Sequence, residues 1–162
     1  MEHYDWNDGW LFCPTFDPAL VRPECTGLEL ESVRIPHTVK ALPYNYCNEN
    51  DHQRLCGYRR EFFAPAEWAG RTVLLTFGAI AHDATVFCNG RRLFHQGCGY
   101  TAFTVDLTSA LLSARITSLS VAARKLWQSR SLNRSSRRKR AAAVCWSLSC
   151  CWRWRVAEPL PM

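Results

Sequence analysis

Ala84-Thr85-Val86-Phe87-Cys88-Asn89-Gly90-Arg91-Arg92-Leu93-Phe94 is the stretch that decides the fold. Asn-Gly accepts the two positive φ angles of a type I′ turn, whose twist matches that of paired strands. On either side lie runs of alternating β-branched and aromatic character, so the stretch predicts an antiparallel hairpin.

Working outward, Arg71-Thr72-Val73-Leu74-Leu75-Thr76-Phe77 places Val73, Leu75 and Phe77 on one face and Thr72 and Thr76 on the other, the period of a half-buried strand. Tyr58-Arg59-Arg60-Glu61-Phe62-Phe63 and Thr101-Ala102-Phe103-Thr104-Val105-Asp106-Leu107 read as two more strands from their aromatic and β-branched content. Residues 116–121 read as another. Thr108-Ser109-Ala110-Leu111-Leu112 predicts a single helical turn with Thr108 as its cap, and Asp106 also stands where it can cap that turn. The first 30 residues read as irregular, because Pro14, Pro18 and Pro23 interrupt any strand early. Short strands with turn signals between them, and no long amphipathic helix or internal repeat, predict an all-β, jelly-roll-like antiparallel β-sandwich.

The 162 residues suffice for one domain with an appendage, and charge divides them. Residues 1–121 hold 10 Lys/Arg against 13 Asp/Glu, a net −3, whereas residues 122–162 hold 10 Lys/Arg against one Glu, a net +9. The mildly acidic first part gives no reason to expect nucleic acid or an anionic membrane as partner. Residues 124–140 carry eight basic residues among four serines and no acid. Residues 141–154 then crowd together Cys145, Trp146, Cys150, Cys151, Trp152 and Trp154, far above ordinary Trp and Cys usage. The predicted organisation is a sandwich domain over 1–121 and an irregular, disordered, basic Trp/Cys-rich tail over 122–162, a composition that suits translation in a shifted reading frame. Ser135-Ser136-Arg137-Arg138-Lys139-Arg140 looks like a nuclear-localisation or nucleic-acid patch. A cationic tail without selected function explains the arginines, cysteines and tryptophans together, so nucleic acid is not the expected partner.

The nine cysteines include no Cys-x-x-Cys pair, and no His-x-x-x-His accompanies them, so no metal is expected. No cofactor is expected either. The acidic, aromatic N-terminus does not read as a signal peptide, and no apolar run approaches the about 20 residues that cross a bilayer. These features predict a cytoplasmic protein without a membrane partner.

Four blocks stand in order along residues 34–121. They are Ile35-Pro36-His37-Thr38; Gly57-Tyr58-Arg59-Arg60-Glu61-Phe62; Ala69-Gly70-Arg71 through Phe77; and Phe87-Cys88-Asn89-Gly90, followed by His95-Gln96-Gly97-Cys98-Gly99-Tyr100-Thr101-Ala102-Phe103 and Asp106-Leu107-Thr108. Together they resemble the sugar-binding first domain of family 2 glycoside hydrolases, the β-galactosidases, β-glucuronidases and β-mannosidases, with the β-glucuronidase branch nearest. Three departures stand out. Cys98 replaces a usual Gly, which would cost about 1–2 kcal/mol if that backbone needs a positive φ. Val39 replaces a frequent Trp, and Ser113-Ala114-Arg115-Ile116 lacks the usual Gly-x-Asn turn.

The resemblance implies a galactose-binding-domain-like sandwich that packs against a catalytic (β/α)8 barrel and helps to shape its sugar site. It also implies hydrolysis with retention by two barrel glutamates, about 5–5.5 Å apart. The family's Asn-Glu motif is absent here, so no catalytic residue is assigned, and the chain reads as cut off before its barrel domain. Glu29 and Glu31 would alternate on one strand face, which a solvated face explains. Carbohydrate, weakly held, is the expected partner, with Asn50 and Asp51 in the loop before Tyr58, His95 and Tyr100 as candidate contacts. Trp6, Trp10, Tyr44 and Tyr46 offer rings for stacking, though large aromatics serve cores as well. His37 and His95 titrate near neutrality, but no nucleophile signature accompanies them, and a hydrogen bond to backbone near a turn is the plainer role. A stand-alone carbohydrate-binding module and a nucleic-acid binder acting through the tail are the competing functions.

Overall fold

The structure, a computed structural model, describes residues 2–39, 54–80, 82–99, 101–111, 116–124 and 152–157. Among them the strands are β1 (Glu2–Asp5), β2 (Trp10–Cys13), β3 (Glu31–Val33), β4 (Leu55–Phe63), β5 (Thr72–Phe77), β6 (Asp83–Cys88), β7 (Arg91–Gln96), β8 (Phe103–Asp106), β9 (Ile116–Arg124) and β10 (Trp152–Ala157). They form two antiparallel sheets, one in the order β1-β10-β5-β8 and one in the order β3-β2-β4-β9-β6-β7. The chain is an all-β sandwich, as its alternation predicts.

The core follows from that alternation. Val73, Leu75 and Phe77 of β5 turn inward and are fully buried, facing Trp10, Phe12, Val86, Leu119 and Val121 of the larger sheet. Phe77 stacks on Phe103 at 4.8 Å between ring centres, and Phe94 stacks on the same ring at 5.4 Å. Offset ring pairs at this separation add stabilisation beyond their buried area.

Asn89 and Gly90 form the expected hairpin turn, with φ of 49° and 83°. Asn89 does more than turn the chain. Its Oδ1 accepts from Ser118 N at 2.9 Å, its Nδ2 donates to Ala110 O at 2.8 Å, and its own N donates to Ser118 O at 2.8 Å. The turn is thereby tied to β9 and to the bend after β8. Asn89→Gly keeps the backbone conformation and loses the two side-chain bonds, so a loss of about 1–3 kcal/mol is expected in urea unfolding. Asn89→Ala should lose about 1 kcal/mol more, because its Cβ opposes the left-handed φ.

The outer face of the larger sheet is buried where alternation alone leaves it exposed. Gly57, Arg59 and Glu61 of β4 stand opposite Ala122, Ser120 and Ser118 of β9. The small ones among them, Gly57, Ala122, Ser120 and Ser118, form a trough, and the 3-10 turn Pro18–Val21 lies in it with Leu20 fully buried. A Cβ added to Gly57 would run into Leu20 Cδ2 and come within 3.2 Å of Phe16 Cδ2. Arg59, 1% exposed, pins this segment: Nη1 donates to Leu20 O (2.7 Å) and Arg22 O (2.6 Å), and Nη2 to Pro23 O (2.7 Å) and Glu61 Oε1 (2.6 Å). Ser120 Oγ adds a bond to Leu20 O at 3.0 Å. Arg60, its neighbour, points to the other face, lies 4.0 Å over the Trp6 ring and donates to Trp6 O at 2.9 Å.

Several local expectations are corrected. The first 30 residues are not wholly irregular: Trp10–Cys13 is a strand between β3 and β4, its apolar run suited to burial. The sandwich does not stop at 121, since β9 continues to Arg124 in register with Leu55. Within the stretch expected to be a disordered tail, Trp152–Ala157 pairs with β5 at six positions and with β1 at four; its sequence alternates Trp, Arg, Trp, Arg, Val, a strand period that composition obscured. Thr108 does not cap the turn after β8. Asp106 Oδ1 does so, accepting from Thr108 N at 2.8 Å, while Thr108 Oγ1 accepts from Val73 N at 2.9 Å. Cys98 carries no backbone strain, because the described non-glycine residues with positive φ are His82 and Asn89.

Candidate functional site

On β6, Ala84, Val86 and Cys88 face the core, which turns Asp83, Thr85 and Phe87 outward. The hairpin register sets His95 beside Thr85 and Arg92 beside Phe87, while β9 brings Arg124 beside Asp83. With Phe16 and Leu55 these side chains line a cleft of about 320 Å³. His95 Nδ1 lies 3.0 Å from Thr85 Oγ1 and 3.4 Å from Asp83 Oδ1. The ring is thereby held on its Nδ1 side. Its lining combines apolar Phe16, Phe87 and Leu55 with guanidinium, imidazole, hydroxyl and carboxylate groups. Apolar walls with a few oriented polar groups are the ordinary make-up of a small-molecule site.

Of the four candidate contacts, His95 lies in this cleft; Asn50, Asp51 and Tyr100 lie outside the described residues. Tyr44 and Tyr46 do too, whereas Trp6 and Trp10 are buried in the core. Glu29 and Glu31 are exposed, as a solvated face requires. Sequence reasoning missed Arg92, Arg124, Phe16 and Phe87. The outward alternation of Asp83, Thr85 and Phe87 was a usable signal, but Arg124 and Phe16 join them only through pairing across distant strands.

His37 sits elsewhere. Its Nδ1 is 3.1 Å from the Tyr58 hydroxyl, and its ring lies 4.7 Å from Phe12. Both histidines therefore bond to side chains rather than to turn backbone. Burial pushes the His37 pKa below its ordinary 6.5, and the charge of Glu31 only partly opposes this. The fold favours the neutral ring, so its contribution is fully present above pH 6.5 and is lost as pH falls below that value. An NMR titration of the imidazole protons is expected to place His37 below 6.5, and His37→Gln should flatten the acid side of the stability profile.

The buried thiols are poor nucleophile candidates. Burial raises Cys88 to about 12 and Cys56 to about 11, which keeps both protonated at neutral pH.

No protein-family model matches the chain. A β-galactosidase from Thermoanaerobacter pseudethanolicus is 28% identical over 104 residues, which are 64% of this chain and 14% of that enzyme. The chain thus spans about a seventh of the length of that relative. Among solved structures, a glycosyl hydrolase family 2 member from Bacteroides cellulosilyticus superposes with a TM-score of 0.70 at 15% identity, over 98% of this chain and 21% of that one. A β-glucuronidase from Ruminococcus gnavus in complex with D-glucuronic acid superposes with a TM-score of 0.66 at 18% identity, over 98% of this chain and 29% of that one. Sequence and fold agree in their likenesses: the chain is similar in sequence to β-galactosidases and shares its β-sandwich fold with family 2 glycoside hydrolases of known structure.

Proposed function

We propose that this chain is the carbohydrate-binding sandwich of a glycosidase of the β-galactosidase or β-glucuronidase type. The observation that supports this most is the agreement between the 28% identity to a β-galactosidase and the superposition of 98% of the chain on family 2 enzymes. In such an enzyme a carboxylic acid protonates the leaving oxygen while a carboxylate attacks the anomeric carbon. This reading assigns neither role to a residue of this chain, and gives both to a domain outside this sequence. The sandwich contributes sugar contacts.

The purified chain is expected to turn over neither p-nitrophenyl β-galactoside nor p-nitrophenyl β-glucuronide. It should bind saccharides with dissociation constants on the order of millimolar in titration calorimetry. Turnover by the chain itself would refute this division of labour, and a failure to bind any saccharide would refute the carbohydrate role. Translation of the encoding DNA past codon 162 in all three frames gives a separate check. A barrel with an Asn-Glu motif in any frame supports the assignment.

A further inference from the structure

We propose that the cleft on the outer face of the larger sheet binds an acidic oligosaccharide, a short oligouronide, with Arg92 and Arg124 receiving its carboxylates. The inference rests on the carbohydrate reading above and adds the site and the class of sugar.

Three observations carry it. First, Arg92 and Arg124 both line the cleft and are exposed, and neither guanidinium group has an ion pair or hydrogen bond among the described residues. Arg34 and Arg59, by contrast, are paired with Asp8 and Glu61. The carboxylate in the cleft, Asp83, has its Oδ1 3.4 Å from His95 Nδ1. The lining therefore holds two guanidinium groups against one carboxylate. Second, the fixed fork of a guanidinium matches a carboxylate with two parallel hydrogen bonds, which makes arginine better suited than lysine to planar anions. Third, His95 Nδ1 is occupied by Thr85 and Asp83, which leaves Nε2 for a sugar hydroxyl. Phe16 and Phe87 supply apolar surface for the C–H face of a pyranose.

The register sets the length of the ligand. Arg124 pairs across β6 with Asp83, and Arg92 with Phe87, four residues further along the strand. Two strand spacings and four residue rises put their Cα atoms on the order of 16 Å apart, at opposite corners of the cleft. A chain of uronate rings, with a carboxylate on each, offers charge at both corners.

The test is titration calorimetry of the full chain with trigalacturonate, with maltotriose as a neutral trisaccharide and with citrate as a sugar-free polyanion. Trigalacturonate should bind about tenfold more tightly than maltotriose, and raising the salt from about 20 mM to about 200 mM should weaken it. Arg92→Gln and Arg124→Gln should each remove most of that preference, while Arg91→Gln, on the same hairpin but outside the cleft, should not. Thermal melts of each variant confirm that it is folded. Equal binding of the two trisaccharides would overturn the inference and leave the carbohydrate role standing. Citrate competing as well as trigalacturonate at equal charge would reduce the cleft to a simple anion site and overturn it. Binding of no saccharide would overturn both readings.

Discussion

Arg59→Met is expected to lower the free energy of unfolding by about 2–4 kcal/mol, measured by urea denaturation. Arg59 is almost wholly buried, and its guanidinium holds three backbone carbonyls of one crossing segment. Methionine fills much of the volume but donates nothing. The size of the loss depends on what the abandoned acceptors do next. Leu20 O keeps its bond from Ser120 Oγ, and the carbonyls of Arg22 and Pro23 belong to exposed residues that water can reach. Glu61 is half exposed and is solvated again. The loss is therefore smaller than for a fully enclosed ion pair, for which about 3–5 kcal/mol is usual. What remains is release of the 3-10 turn at Pro18–Val21 and uncovering of Leu20 in its trough. Arg60→Met is the informative comparison. Arg60 stacks on Trp6 and donates to the Trp6 carbonyl in a partly buried bond, so a loss of about 1 kcal/mol is expected. Equal losses from the two substitutions would show that the carbonyl anchor contributes nothing special.

Deleting residues 125–162 is expected to have the larger consequence for solution behaviour. β10 stands between β1 and β5, and β1 has no other strand partner among the described residues. Its removal strips the ladder from six positions of β5 and leaves that strand as an open edge. An exposed edge of alternating apolar residues is a template for pairing with another copy. The shortened chain should elute as associated species in size-exclusion chromatography with light scattering, and its thermal transition should broaden. A monomer with an unchanged, cooperative transition would show that β10 adds nothing to the sandwich. Substituting Arg153→Pro in the full chain separates strand pairing from mere length, because proline removes a donor from the ladder without shortening the chain. It should reproduce the association.

The same contrast shows how far the residues alone reach. The Asn89-Gly90 turn, the inward set Val73, Leu75 and Phe77, and the strands starting near Tyr58, Phe103 and Ile116 are all local patterns with period two. They are legible because side-chain alternation and turn chemistry are properties of neighbours along the chain. His95 was reachable for the same reason, as part of the hairpin and of a motif block. Trp10–Cys13 was not, because four apolar residues beside prolines carry no period that separates a buried strand from a loop. Trp152–Ala157 was lost in a composition that outweighed its alternation.

The sequence by itself determined the all-β class, the hairpin and the core-facing residues of β5, because each depends on interactions within a few residues. Tertiary structure alone decided that Gly57, Ser118, Ser120 and Ala122 form a trough for Leu20, that Arg59 pins the segment above it, and that Arg92 and Arg124 share one cleft. Those relations join positions up to 100 residues apart, as Ser120 joins Leu20. They arise from strand register, which fixes which outward side chains meet and leaves no periodic trace in the chain.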